Sequence, residues 1–322
     1  MLASAGSRCS APFDTATSTD ACGARDTASR SLRRVPTELP SFDLVVATIG
    51  RVSELERLLE SLAAQTHRSF RILVVDQNPD ARLAPVLERA SELEVVLLTA
   101  PPGLSHARNR ALPELRGDLV AFPDDDCAYP PDLLERVAAR FARDLSLDGL
   151  SARTADREGC SDTGWRDDVE TLRKRNVWNL VASAGLFLRR AVIARVGTFD
   201  ERLGLGSDTP YTCGEETDYV IRALAQGARI EYDPTLVVEH ELAAHDRDGL
   251  RERGRREGAS VGFLLRKHGY PVSTLSRMAV RPLGGIAVSL ARRDSSRARF
   301  YSETLRGRVR GYLDVTRSKI SA

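Results

Sequence analysis

Residues 118–132 read Asp118-Leu119-Val120-Ala121-Phe122-Pro123-Asp124-Asp125-Asp126-Cys127-Ala128-Tyr129-Pro130-Pro131-Asp132. The apolar run before Pro123 has the character of a short buried strand, and Pro130-Pro131-Asp132 opens a helix expected through Phe141. Three adjacent carboxylates therefore fall at the carboxyl end of a strand, where open α/β sheets place their ligands. Such carboxylates repel one another unless a cation or hydrogen-bond donors neutralise them. Oxygen donors in that pattern suit Mg²⁺ or Mn²⁺, and a metal held this way usually also grips a phosphate. A solvated acidic turn that caps the following helix is the plainer alternative.

Outward from this turn, the first half alternates strand and helix. Leu44-Val45-Val46-Ala47 is a strand, and Ser53 and Glu56 have the spacing of a capping box for a helix that carries Leu55, Leu58, Leu59 and Leu62 on one face. Residues 71–75 form a strand ending at Asp76, 81–90 a helix, 94–98 a strand and 105–115 a helix. Short connections between such units predict an α/β fold with a mostly parallel, Rossmann-like sheet flanked by helices. The second half predicts a loop over 159–164, a strand over 184–188, a helix over 190–196, a helix over 214–225, and two short strands, 230–232 and 236–238, separated by Pro234. Residues 1–41 lack apolar periodicity and read as a disordered leader. The domain expected is 42–245, with a nucleotide-binding half over about 42–127 and an acceptor half over about 128–245; 246–322 is a helical, basic extension broken at Gly284-Gly285.

Composition removes several classes. The 322 residues are 42% hydrophobic and 29% charged, an ordinary globular balance. A net charge of +2 gives no field for nucleic acid. Five cysteines without CxxC spacing point to free thiols in a reducing compartment, not to a zinc site or disulfide framework. No apolar run is long enough to span a bilayer and no signal core is evident, so a cytoplasmic location is the default expectation.

Further candidates sit at element ends. Asp76 either accepts hydrogen bonds from a ribose or base edge or caps the turn Gln77-Asn78-Pro79. Arg108, in Gly103-Leu104-Ser105-His106-Ala107-Arg108-Asn109, neutralises a phosphate, or orders the acidic turn, or is a surface arginine. Glu215 and Glu216 open a helix, where the macrodipole favours them, and one of them could serve as a general base toward a substrate hydroxyl. Asp218 and Arg222 have the spacing of a surface pair. His240 is a packed residue or, with the Asp-rich turn, a metal ligand.

In this order the segments resemble glycosyltransferase family 2 and its GT-A type fold. Val45-Val46-Ala47-Thr48-Ile49-Gly50-Arg51 is similar to the family's opening strand and turn, Leu73-Val74-Val75-Asp76 to its nucleotide-binding strand, and Gly103 to Asn109 to its Gly…Ala-Arg-Asn helix start. Asp124-x-Asp126 matches its DxD motif, and Gly197-Thr198-Phe199-Asp200-Glu201 through Gly214-Glu215-Glu216-Thr217-Asp218…Arg222…Gly227…His240 is similar to its acceptor side. The resemblance spans about 42–240. It implies an inverting, metal-dependent transfer of a sugar from a nucleoside diphosphate donor to a hydroxyl acceptor. Thr48, Arg51 and Asp76 would then contact the nucleobase end. Arg108 would lie near the nucleotide and Asp125 near the ribose or sugar. Asp126, Asp124 and His240 would face a Mn²⁺ or Mg²⁺ ion, and Glu216, with Glu215 beside it, would stand at the base position. Two positions depart from the pattern: Glu215-Glu216 replaces the usual Glu-Asp, and Ile49-Gly50 replaces an aromatic-Asn pair.

The competing classes lack their signatures. A nucleotidyltransferase needs a Gly-rich loop with a following basic residue after the first strand, and Thr48-Ile49-Gly50-Arg51 supplies neither this nor G-x-G-x-x-G for a dinucleotide. An aspartate-nucleophile phosphatase needs its Asp-x-Asp after the first strand, not the fourth. A non-catalytic nucleotide-sugar-binding protein, or a nucleotidyltransferase on a similar sheet, remains the alternative. In the basic extension, arginines interleaved with apolar residues either pack on the catalytic domain or meet an anionic membrane surface as a peripheral contact.

Overall fold

The computed structural model describes residues 38–161, 164–241 and 247–314, so the expected leader lies almost wholly outside the described residues. The order is β1 (Phe42–Thr48), α1 (Val52–Ala63), β2 (Phe70–Asp76), α2 (Ala84–Arg89), β3 (Val95–Thr99), α3 (Leu104–Ala111), β4 (Leu119–Ala121), β5 (Cys127–Ala128), α4 (Leu133–Arg143), β6 (Gly149–Ala155), β7 (Glu170–Thr171), β8 (Leu186–Arg189), α5 (Arg190–Val196), α6 (Glu215–Ala225), β9 (Ile230–His240), α7 (Arg247–Lys267), α8 (Val272–Ala291) and α9 (Ser295–Leu313).

The strands form one sheet in the order β3-β2-β1-β4-β8-β6-β9-β5, with β7 paired to β9. The first four strands are parallel, as the alternating pattern requires. The second half is mixed: β8 runs antiparallel to both β4 and β6, while β9 lies parallel to β6. The period-two alternation of strand side chains separates two cores. Phe42, Leu44, Val46, Ile72 and Val74 face α1, α2 and α4. Val45, Leu73 and Val75 face the other way, toward α3, α5 and α6.

Several local expectations are revised. α1 has no side-chain cap: Ser53 Oγ donates to its neighbour Glu54 instead of completing a box with Glu56. Pro234 does not divide β9, because the register shifts between Ala152 and Arg153 and the bulge absorbs it. Asp218 is fully buried, so its pair with Arg222 is not a surface pair. The extension folds as three helices separated at 268–271 and 292–294, and Gly284-Gly285 lies inside α8.

α7 and α9 touch through glycines. A Cβ on Gly262 would lie 2.1 Å from the Arg308 carbonyl oxygen, and one on Gly311 would lie 2.1 Å from that of Ala259. The two backbones are thus in van der Waals contact with no side chain between them. α7 also docks on the loop before α6, where Phe263 and Leu264 join Leu203 and Tyr211 in a third small core and Phe263 stacks on Tyr211 at 4.2 Å. Lys267 Nζ lies 2.5 Å from Asp218 and 2.7 Å from Asp200, and His268 Nε2 lies 2.8 Å from Asp218. Burial would raise the Asp218 carboxyl. The His268 contact and the Lys267 and Arg222 charges outweigh it and bring the group down to about 2.

Candidate active site

The carboxyl edge of the parallel strands opens onto a cleft of about 600 Å³. Its walls include Arg51 and Gln77 after β1 and β2, Gly103 before α3, the turn Asp124-Asp125-Asp126 after β4, Glu215 and Glu216 at the start of α6, and His240 at the end of β9. Strand register explains two of these placements. β1 pairs with β2 so that Thr48 lies beside Asp76, and β9 pairs with β5 so that His240 lies beside Cys127, next to the acidic turn.

The three aspartates are held differently. Arg51 Nη1 bridges Asp125 at 2.8 Å and Asp126 at 2.5 Å. His240 Nε2 lies 3.2 Å from Asp126 and 3.8 Å from Asp124. Burial pushes the Asp124 carboxyl up to about 6, against the pull of Arg108 and His240. Burial also raises Asp125, although Thr48 and Arg51 beside it act the other way. Asp126 goes the other way: burial raises it, but the His240 hydrogen bond and the His240 and Arg51 charges outweigh this and lower it. His240 itself is raised, chiefly by its hydrogen bond to Asp126.

Arg108 is the hub beneath the cleft. Only 2% exposed, it donates from Nη1 to Glu215 Oε1 at 2.8 Å and from Nη2 to Asp124 Oδ1 at 3.4 Å, and Nη2 also donates to Ser183 Oγ. Its guanidinium lies over the rings of Phe122 at 5.7 Å and Phe199 at 5.5 Å. It therefore ties the acidic turn to α6 and is not a surface arginine. Glu215 is 4% exposed and committed to Arg108. Glu216 is half-buried, and burial together with the charge of Glu215 raises it well above an ordinary glutamate.

Asp76 does not line the cleft. Its Oδ1 accepts from the Asn78 backbone N–H at 2.8 Å and from Asn78 Nδ2 at 2.7 Å, the turn-capping arrangement. Thr48 is buried behind Arg51, and its hydroxyl donates to the Arg51 carbonyl at 3.4 Å. Two side chains that the sequence reading passed over matter here. Gln77 Oε1 accepts from the Gly103 N–H at 2.7 Å and holds the α3 entry, and Ser183 braces Arg108. Neither carries a local signal, since each acts on a partner remote in sequence. Gly103 has φ +136°, and a Cβ on Gly206 would lie 3.1 Å from the Gly103 backbone, so the loop before α6 seats directly on the entry to α3.

Among the described residues, no group of three or more His, Cys, Asp or Glu side chains forms a metal cage by itself. Mg²⁺-type ions are usually bound through one or two carboxylates with substrate phosphates completing the shell. Asp124, Asp126 and His240, converging on one cleft wall, fit that mode.

Residues 43–194 match the family model described as glycosyl transferase family 2. A pre-mycofactocin glycosyltransferase of Mycobacterium tuberculosis is 27% identical over 240 residues, covering 69% of this chain and 47% of the relative, so the chain spans about half the length of that relative. The uncharacterized glycosyltransferase YwdF of Bacillus subtilis is 26% identical over 238 residues, covering 71% of this chain and 84% of its own. Among solved structures, the mannosyltransferase PcManGT from Pyrobaculum calidifontis, in complex with GDP-Man and Mn²⁺, superposes with a TM-score of 0.60 at 15% identity, covering 87% of this chain and 89% of that one. Residues 1–349 of S. aureus TarS, in complex with UDP-GlcNAc, give 0.54 at 17% identity, covering 83% and 91%. The fold is the GT-A type. Over residues 43–194 the chain is similar to glycosyltransferase family 2.

Proposed function

We propose that this chain transfers a sugar from a nucleoside diphosphate donor to an acceptor hydroxyl of a glycan, lipid-linked or small molecule, inverting the anomeric centre with the help of Mn²⁺ or Mg²⁺. The observation that carries this reading is the convergence on one cleft of the Asp124-Asp125-Asp126 turn, His240 and a raised, half-buried glutamate. That PcManGT is in complex with GDP-Man and Mn²⁺ supports the metal and the donor class.

In this reading Asp126 and Asp124, with His240, hold the divalent cation. Bound there, the ion supplies positive charge to the departing diphosphate. Asp125 orients the ribose or sugar. Arg51 and Gln77 border the nucleotide end, with Thr48 and Asp76 shaping that end from behind through the Arg51 carbonyl and the Asn78 turn. Arg108 fixes Asp124 and Glu215 relative to each other, so the donor side and acceptor side share one frame. Glu216 is the general base: Glu215 is tied to Arg108, whereas Glu216 faces the cleft with a raised proton affinity suited to taking the acceptor hydroxyl's proton. Attack from the face opposite the diphosphate inverts the anomeric centre.

Calorimetry of nucleoside diphosphates with and without Mn²⁺, followed by diphosphate release from sugar nucleotides, tests the reading. Metal-dependent binding followed by release supports it. Binding without any release identifies a non-catalytic binding protein, and absence of binding rejects the donor class.

A further inference from the structure

α8 has three distinct sides. At 100° per residue, Pro282, Ser289 and Met278 fall together, and this side is turned inward: Pro282 and Ser289 are buried, and Met278 packs on the second core. Pro282 removes a helical donor that would have served the Met278 carbonyl, and Arg308 of α9 donates to that carbonyl instead. Gly285 lies against the Tyr301 ring, so the helix stays continuous and closely packed on α9.

The opposite side is apolar and faces water. Val272 is 60% exposed, Val280 67%, Leu283 53% and Leu290 62%. At 100° per residue Arg277, Arg281 and Arg292, all exposed, fall on a third side beyond Val280, away from Val272, Leu283 and Leu290, with Arg293 following the helix. Residues 272–293 contain no aspartate or glutamate. On α7, Arg255 and Arg256 pair with Glu252, whereas α8 carries no carboxylate of its own to pair its arginines. No helix among the described residues is long and apolar enough to cross a membrane.

We propose that α8 docks the protein on an anionic lipid surface, with Val272, Val280, Leu283 and Leu290 entering the acyl boundary and the arginine row lying at the headgroups. An exposed apolar face with arginines on the polar side of the same helix is the pattern of a helix that lies in the interface plane. The missing carboxylates select an anionic surface over a second copy of this chain, because an isologous contact would bring two acid-free arginine helices together without neutralisation. The proposal does not depend on the transfer reaction.

Co-sedimentation of the full chain with phosphatidylglycerol-containing or pure phosphatidylcholine vesicles, at low and physiological salt, tests it. The parent sediments with the anionic vesicles, more strongly at low salt. Each arginine neutralised lowers the partition coefficient about fivefold, so R277Q/R281Q loses about 25-fold. V280E/L283E loses anionic-vesicle binding while keeping the parent's circular dichroism and melting temperature. Failure of the parent to bind anionic vesicles at low salt overturns the proposal, as does parental binding by V280E/L283E. A parent that dimerises in light scattering without binding vesicles, and whose V280E/L283E variant is monomeric, also overturns it and makes the face a self-association surface.

Discussion

Replacing Arg108 with methionine tests the hub beneath the cleft. Methionine keeps most of the volume between Phe122 and Phe199 and still contacts both rings, so the change removes mainly charge and donors. Glu215, 4% exposed and 2.8 Å from the guanidinium, is left as a buried carboxylate without its cation. Removing one partner of such a pair costs about 3–5 kcal/mol. At somewhat over 2 °C per kcal/mol for a chain of this size, the melting temperature falls by roughly 6–10 °C. The companion E215Q loses less, because Arg108 keeps Asp124 and Ser183. If the orphaned charge dominates the loss, R108M/E215Q is more stable than R108M alone, with a coupling of about 2–3 kcal/mol. Urea midpoints followed by circular dichroism at neutral pH give the cycle. Losses that add to within about 0.5 kcal/mol would refute the electrostatic account and assign Arg108's contribution to ring stacking.

E216Q is expected to lower turnover by about 10²–10⁴-fold with donor binding intact, measured by diphosphate release and calorimetry; a comparable loss in E215Q alone moves the base one residue. D126A is expected to abolish the Mn²⁺-dependent part of nucleotide binding while melting like the parent, and equal calorimetric affinity in both would remove Asp126 from the metal site. Asp218, held at about 2 when folded, contributes about 2 kcal/mol above its unfolded value near 3.8, and this is lost as pH falls through 2. D218N should therefore be less stable than the parent at neutral pH and converge with it in acid; a constant gap from pH 7 to pH 2 argues against this linkage. G262V drives a side chain into the Arg308 carbonyl and should cost at least the usual 1–3 kcal/mol of overpacking, read from urea midpoints, whereas an unchanged midpoint would show that the helices separate freely.

What the sequence discloses is what local pattern controls. The alternation in Leu44-Val45-Val46-Ala47 and Leu73-Val74-Val75 assigns each residue to a face of a parallel sheet, and the acidic turn then falls at its carboxyl edge without further information. Features set by distant partners are hidden. Arg108 is buried because Glu215, 107 positions later, comes to meet it, and nothing around residue 108 announces that. Asp218 has a local partner in Arg222, but its burial depends on Lys267 and His268, which arrive on α7. Pro234 and Gly284-Gly285 look like breaks when read locally. Tertiary contacts cancel both signals, one through a bulge in β9 and the other through the packing of α8 on Tyr301.

The seating of α7 under the cleft bears on how this protein exchanges parts with its relatives. Leu264 fills the space that a Cβ on Gly214 would need, at 2.7 Å, and Gly214 adopts the left-handed conformation that starts α6 and aims the two glutamates. Tyr211, three residues earlier, rests on Phe263 and donates to Asp314 at the end of α9. The same loop supplies Leu205, Gly206, Thr212 and Cys213 to the cleft wall. A chimaera that joins the family-matched segment 43–194 to another protein's tail would give this loop a foreign floor. Tail and loop pack as one unit, so a chimaera built to keep this cleft wall intact should carry residues 203–214 and α7 to α9 together.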